Sequence, residues 1–441
     1  MTLKSSLFFA KSLIFPKTEK KSSARKSLWG ALICIGLSII PLVLVISVTN
    51  GMISGMTDRI IGLSSSHIQA FVAQDIEQTS SLENFEHFSN TLLLETDGLI
   101  NAYPEVNISA LATANNYKTG IQIRGVPQNI FTQNSAFKEL FEVEQGSLSN
   151  FSSNNVVLGK KIAQLLGLKE GDTFRIITTR TLNNMIAPKF STFKVCAIVT
   201  SGYQELDALW CFVPLETTFK TLSLSNAKYT IMLETPDAYS VDVVRVQKEL
   251  QSKYGRIANF YRWDRVHQSE FESFSSTKVL LIFIMMLIVL VASINISSAI
   301  IMLVIERQKE IAILKSLGAK PFGITLSFLI AAVSCSFGGL LIGIPIGLLL
   351  SVNANALIQF VENCVNFFAK IGYFFKGVSF DDISQIKLMD PAYYLQNIPV
   401  DIPYNQILLI ILSTIILSIL VSIVPCIKAG KEKPLDLLRK I

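Results

Sequence analysis

His67, His87 and His267 are the three histidines of a 441-residue chain, and their scatter gives no pair the spacing at which two rings share a metal ion. No Ser/His/Asp or Cys/His arrangement can be drawn around them. Glu205 and Asp207 would share one face of an extended segment, but a turn or surface role suits them better than acid–base chemistry. No G-x-x-x-x-G-K-[ST] phosphate loop occurs; Gly167–Asp172 comes nearest and lacks the closing Lys-Ser/Thr pair. The six cysteines (Cys34, Cys196, Cys211, Cys335, Cys364, Cys426) have neither zinc spacing nor a disulfide framework. Cys196 and Cys211 could meet across a hairpin, the alternative being two free thiols. No catalytic or metal-binding residue is expected, so the chemistry to look for is binding and movement.

Two groups of residues suit that role. In Glu306–Ala319, counted at 100° per residue, Ile311, Ile313, Leu314 and Leu317 are placed on one side of a short helix and Gln308, Lys309, Lys315 and Ser316 on the other. Gly318 is set to end this helix, and Glu306, Glu310, Ile311, Ile313, Leu314, Leu317 and Gly318 are the candidate coupling residues. Such a helix either rests on lipid headgroups or docks its apolar ridge in a groove of a partner. The second group is Val48, Thr49, Met52 and Met56 with Leu280, Phe283 and Ile284. Facing one another, they could line an apolar pocket, where methionine tolerates varied shapes; plain helix packing accounts for the same residues.

The elements that must position these groups follow from composition. Half of the chain is hydrophobic and 16% is charged, against roughly 25% in soluble domains. Ser27–Thr57, Val279–Ile305, Pro321–Val361 and Ile402–Ile427 lack charged residues altogether, and each exceeds the roughly 20 residues that span a bilayer. Four transmembrane helices are therefore expected, at 28–57, 279–305, 321–352 and 405–427. The first is read as an uncleaved anchor, being long for a signal peptide and preceded by Lys17, Lys20, Lys21, Arg25 and Lys26. The segments 1–27, 306–320 and 428–441 together carry 16 Lys/Arg against five acids, which places both termini and the middle connection in the cytoplasm. The large stretch 58–278 and the connection 353–404 then lie outside.

Within 58–278, alternating stretches at Gly120–Val126, Thr173–Thr178, Thr192–Val199 and Leu209–Val213 read as strands, with turns at Gly125, Pro127, Gly171 and Gly202. Asn155–Leu168 and Ser240–Tyr254 read as helices, giving an α+β domain inserted between helices 1 and 2. Between strands, Thr179–Phe190 reads as an irregular excursion that could expose Met185, Ile186 and Pro188, or as an ordinary long hairpin loop. Leu3–Phe15 is an amphipathic lead along the inner face or a frayed tail, Ala354–Phe375 is a second amphipathic stretch, and Asp390–Tyr404, with three prolines, is an extended return. Gly339, Gly343 and Gly347 recur every fourth residue and predict a close helix contact. Asn295, in the middle of the second span, is expected to hydrogen-bond across helices.

Glu306–Ala319 resembles the signature of FtsX-like (MacB-type) ABC transporter permeases. Leu287–Ser298 and Thr49-Asn50-Gly51-Met52 are similar to the lipoprotein-releasing (Lol-type) members, which usually have Met where Thr49 stands. Further words recur in similar order: Ile123–Val126, Val157–Gly159, Leu166–Asp172, Ser201–Asp207, Val213–Leu215, Tyr393–Ile402 and Pro425–Arg439. The likeness runs over nearly the whole chain, with a longer amino-terminal lead and a longer connection between the third and fourth spans.

The resemblance implies a bacterial inner-membrane permease with a MacB-like periplasmic core at 58–278 and a coupling helix at 306–320. It would pair with a second permease, a paralogue or its own copy, and sit on an ABC ATPase dimer that binds the ATP and Mg. Its cargo would be lipoproteins drawn from membrane lipids, their acyl chains held in the apolar pocket of Val48, Thr49, Met52, Met56, Leu280, Phe283 and Ile284, and passed to a periplasmic lipoprotein carrier, gripped by a hook-like loop at Met185, Ile186 and Pro188. No cofactor in this chain and no nucleic acid is implied. Two other readings stand beside it: a mechanotransmission permease driving an efflux adaptor or cell-wall hydrolase, and a membrane-anchored sensor or scaffold with no transport cycle.

Overall fold

The computed structural model describes residues 3–14, 23–74, 76–182, 185–375, 395 and 398–431. The chain divides into a membrane unit (Met1–Gly51, Phe274–Val365, Pro399–Ile441) and a sheet unit (Met52–Ser273, Asn366–Ile398). Helices of seven residues or more are α1 (Leu3–Ile14), α2 (Ser23–Arg59), α3 (Leu82–Glu95), α4 (Lys160–Leu166), α5 (Leu215–Thr221), α6 (Val241–Tyr254), α7 (Gln268–Glu306), α8 (Gln308–Ser316), α9 (Pro321–Val352), α10 (Ala354–Phe375) and α11 (Tyr404–Lys431). The strands are β1 (Ile68–Val72), β2 (Asn101–Ala114), β3 (Tyr117–Val126), β4 (Glu142–Gly146), β5 (Asn155–Gly159), β6 (Thr173–Leu182), β7 (Met185–Thr200), β8 (Trp210–Pro214), β9 (Lys228–Glu234) and β10 (Ala258–Arg262). Among the described residues, four helices are long and apolar enough to cross a membrane: α2, α7, α9 and α11. All ten strands lie between α2 and α7 in the chain. α2 and α7 extend beyond the charge-free runs, to Ser23 and Gln268, because helical hydrogen bonding does not stop where charges begin.

The strands form one mixed sheet in the order β10-β1-β9-β2-β3-β8-β5-β7-β4, with β6 pairing β2 and β7. Side chains alternate between its faces as the two-residue period requires. Ile121, Ile123, Val156, Leu158, Cys211 and Val213 join the core that also holds buried residues of α3, α4 and α6. Val126, Val157, Trp210 and Phe212 join a second, aromatic core with Phe131, Phe137 and Phe141. Arg124 of β3 lies among these rings, its guanidinium carbon 4.5 Å from the Trp210 ring centre and 5.3 Å from that of Phe212. It is 2% exposed and pairs in a two-pronged fashion with Glu105 of β2, 1% exposed, at 2.7 and 2.6 Å. The remaining terminal nitrogen donates to the Leu63 carbonyl. Leu63 belongs to the π-helical turn Ile60–Ser65 that follows α2, so one buried cation ties that turn to two central strands.

Several expectations change. Asn155–Leu168 is not one helix: Asn155–Gly159 is β5, paired with β7 and β8, and only Lys160–Leu166 is helical. Val156 and Val157 are buried on opposite faces, and a strand covered on both sides loses the alternation that would identify it. β5 also separates β7 from β8, so Cys196 and Cys211 do not face each other across a hairpin, and both are free thiols. Gly125 is no turn but a β3 residue opposite Val106 and Val213. A Cβ there would lie 2.6 Å from Thr218 Oγ1 of α5, so glycine permits the helix to approach the strand. Ser240 does cap α6, accepting from the Asp242 amide. Of Asp390–Tyr404, residues 390–394 and 396–397 fall outside the described residues; Leu395 bridges to Tyr203.

In the membrane unit the glycine stripe packs α9 against α2. Cβ atoms on Gly339, Gly343 and Gly347 would lie 2.7 Å from Ile35 Cβ, 2.9 Å from the Gly36 carbonyl oxygen and 2.9 Å from Val43 Cβ, respectively. Ser336 Oγ of α9 donates to Ser418 Oγ of α11 at 2.5 Å, the interhelical polar contact that substitutes for a hydrophobic driving force inside lipid. α1 is a helix over Leu3–Ile14, with Leu13 buried and Phe9 edge-on to Phe328 of α9 at 6.3 Å. Asn295 departs from expectation: it is exposed on α7, while its neighbours Ala292, Ser293 and Ile296 are buried. Those three take the inward face and leave residue 295 on the outer one.

Gly343→Val should lower the stability of the detergent-solubilised protein by about 1–3 kcal/mol, read as a fall in its melting temperature, whereas Gly30→Val, which meets nothing within 4 Å, should leave it unchanged. Arg124→Leu strands the Glu105 carboxylate and should cost about 3–5 kcal/mol; adding Glu105→Leu should restore most of that in the same melting assay.

Candidate coupling and cargo sites

α8 follows α7 after Arg307 alone, whose guanidinium pairs with Glu310 in the first turn. Gly318, at φ +88°, ends the helix in a conformation that glycine adopts without strain, and the Ala319 amide returns to the Leu314 carbonyl at 2.9 Å. The expected single ridge is split. Ile311, with Ala312, is fully buried in the membrane unit's core, Leu314 is half-buried, and Ile313 and Leu317 are 58% and 80% exposed. The physical reason is the helical period itself, since positions 311 and 313 lie about 200° apart. The buried pair seats the helix on the unit; Ile313 and Leu317 form the outward apolar surface. Glu306 closes α7, exposed.

The Thr179–Phe190 region is regular rather than irregular. β6 and β7 pair antiparallel from Thr173↔Lys194 to Leu182↔Met185, joined across residues 183–184, which lie outside the described residues. β6 touches β2 only from Arg175 to Ile177, so the outer half of the hairpin is held by its own pairing. Its base is fastened by Lys189 Nζ donating to the Leu222 carbonyl at 3.3 Å and Asn226 Nδ2 donating to Thr179 Oγ1 at 3.2 Å. Met185 and Ile186 take strand register opposite Leu182 and Thr181, and Pro188 is exposed opposite Thr179.

The proposed acyl-chain residues are distributed over both units. Val48 and Thr49 are half-buried on α2 and Leu280, Phe283 and Ile284 are exposed on α7, all in the membrane unit; Met52 (half-buried) and Met56 (buried) belong to the sheet unit. The adjoining Asn50 and Gly51 have a structural task that the spacing did not disclose. Asn50 Nδ2 donates to Gln406 Oε1 of α11 at 2.7 Å, and a Cβ on Gly51 would sit 2.0 Å from the Pro399 carbonyl oxygen.

Other positioning groups were also missed. Arg59 Nε donates to the Ser201 carbonyl at 2.5 Å. The turn that Ser201 opens is fixed by Asp207, whose carboxylate accepts from Thr200 Oγ1 at 2.6 Å, the Ser201 amide at 2.8 Å and Ser201 Oγ at 2.7 Å. Burial pushes the Asp207 carboxyl up, against the hydrogen bonds that favour its anion. Gln204–Asp207 is a helical turn, so Glu205 and Asp207 do not share a face of an extended segment: Asp207 is buried and Glu205 accepts from the Tyr203 hydroxyl. A buried aspartate that closes a turn is the structural role the sequence suggested. Ser64 Oγ lies 3.1 Å from His267 Nε2, and the Trp263 amide donates to the His67 carbonyl at 3.2 Å. Burial depresses both imidazoles below their usual range. Two histidines thus serve the packing of the sheet unit beside the end of α2 and the start of α7.

Residues 29–252 match the family model of a MacB-like periplasmic core domain, and residues 282–434 that of an FtsX-like permease C-terminal domain. The chain is 22% identical over 410 residues to the lipoprotein-releasing system transmembrane protein LolC of Xylella fastidiosa (strain 9a5c), covering 92% of each. Against LolC of Neisseria meningitidis serogroup B identity is 24% over 415 residues, again 92% of each chain. Against LolE of Haemophilus influenzae it is 23% over 409 residues, with the same coverage of both.

The split ridge makes a prediction about α8. Ile313→Asp and Leu317→Asp should leave membrane yield and melting temperature near wild type, because neither side chain is packed inside the unit, whereas Ile311→Asp should unfold or deplete the protein through an unpaired buried charge worth several kcal/mol. Quantitative immunoblotting of membranes, with melting of the purified protein, separates the two.

Proposed function

This chain belongs to the ABC transporter permeases that join a MacB-like periplasmic core domain to an FtsX-like permease domain, and we propose that it releases outer-membrane-directed lipoproteins from the inner membrane to a periplasmic carrier. The observation that carries the reading is that likeness to lipoprotein-releasing relatives runs through both domains, over 92% of the chain. Multi-pass membrane insertion accords with α2, α7, α9 and α11. Both termini and α8 then face the cytoplasm and the sheet unit faces the periplasm, as the distribution of Lys and Arg favours.

The physical demand on such a permease is large. Each acyl CH₂ leaving the bilayer costs about 0.8 kcal/mol, so a lipid-anchored cargo departs only when an energy source is coupled to it. In this reading an ABC ATPase dimer supplies that energy, binding ATP and Mg itself, and meets the permease at Ile313 and Leu317 of α8. A second permease subunit, a paralogue or another copy, completes the path. The β6–β7 hairpin, through Met185, Ile186 and Pro188, receives the carrier, while Val48, Thr49, Met52, Met56, Leu280, Phe283 and Ile284 meet the acyl chains.

The test is reconstitution of the full chain with its ATPase and second permease in proteoliposomes bearing a tri-acylated lipoprotein, with soluble carrier outside. ATP-dependent appearance of the lipoprotein on the carrier is expected, and the doubly substituted Ile313→Asp, Leu317→Asp protein should lose most of it while inserting normally. Nucleotide turnover with no cargo transfer, or labelling of 58–278 from the cytosol in cells, overturns the reading.

A further inference from the structure

Among the described residues α10 is the one helix of more than twenty residues that is not among the four long and apolar enough to cross a membrane. Counted around the axis, Asn355, Gln359, Glu362, Asn363, Asn366 and Lys370 occupy a strip about 100° wide. Leu357, Phe360, Val361, Cys364, Phe367 and Phe368 fill the remainder. The apolar side is open: Phe360, Phe367 and Phe368 are 64%, 62% and 70% exposed. The helix begins at Ala354, one residue after α9 ends at Val352, and the break is the single residue Asn353. A span that crosses the bilayer ends at its surface, so the first turn of α10 is delivered to the lipid interface by the covalent chain.

We propose that α10 lies along the leaflet at which α9 ends, with Phe360, Phe367 and Phe368 among the acyl chains and the Gln359–Asn363–Lys370 strip toward headgroups and water. A strongly two-sided helix, apolar on one face and polar along the other, is the form that rests in an interface rather than crossing it. Its polar strip runs without interruption and holds both charges, Glu362 and Lys370, which argues against a fifth crossing, since ionised groups in the bilayer centre are costly. The inference requires only that α9 spans the membrane, and is independent of what the permease carries.

The experiment keeps the full chain and its cysteines. Phe360, Phe367 or Gln359 is replaced, one at a time, by the photoreactive p-benzoylphenylalanine, and the protein is reconstituted in vesicles of phosphatidylethanolamine and phosphatidylglycerol at 3:1 by the general recipe for interfacial helices. After irradiation, intact-mass measurement should show addition of one phospholipid at positions 360 and 367 and several-fold less at 359, with Leu420 of α11, 57% exposed, as the lipid-facing control. Adducts to protein at 360 and 367, meaning that another copy or subunit covers the face, overturn the proposal. So does the absence of lipid adducts there when position 420 reacts, or equal labelling at 359 and 360.

Discussion

The guanidinium of Arg124 is the interaction on which the sheet unit's arrangement turns. It is buried, clasped by the Glu105 carboxylate, bounded by Trp210 and Phe212, and bonded to the carbonyl of Leu63. Burying a charge is unfavourable unless every donor finds a partner, and here the partners come from β2 and from the turn that follows α2. Satisfying one cation therefore specifies where that turn meets the strands. Arg59, bonded to the Ser201 carbonyl, and His267, beside Ser64, fix the neighbouring points. The end of α2 and the start of α7 are thus held to one sheet by polar contacts.

The membrane unit relies on a different economy of contact. Apolar side chains gain nothing by leaving lipid for protein, so close approach and hydrogen bonds between helices do the holding. Glycines on α9 supply the first and Ser336 with Ser418 the second. α8 is seated in that packing through Ile311 and Ala312, which leaves Ile313 and Leu317 free of it.

What could be read in advance depended on whether the local pattern carried the information. The four long apolar helices, the glycine stripe, α6 and the amphipathic α10 were visible because charge depletion and helical period are properties of consecutive residues. β5 was not, because burial on both faces removes the alternation in Asn155–Gly159. The ridge on α8 was drawn too broadly: Ile311 and Ile313 are both apolar, but the period assigns them to opposite sides. Thr179–Phe190 was read as an irregular excursion or a long hairpin loop, whereas strand pairing continues through it to Leu182↔Met185. Arg124 and Glu105 stood nineteen positions apart with nothing local to pair them; only the strand register does so.

The glycine stripe has a mechanical corollary. With the α2 and α9 backbones nearly touching at Gly36 and Gly343, each notch of one helix engages a knuckle of the other, and axial slip would have to advance by a full notch of about 6 Å. Nothing smaller finds a comfortable seat. The two helices must therefore travel as a single strut, and whatever flexing the transport stroke demands has to be taken up elsewhere in the bundle.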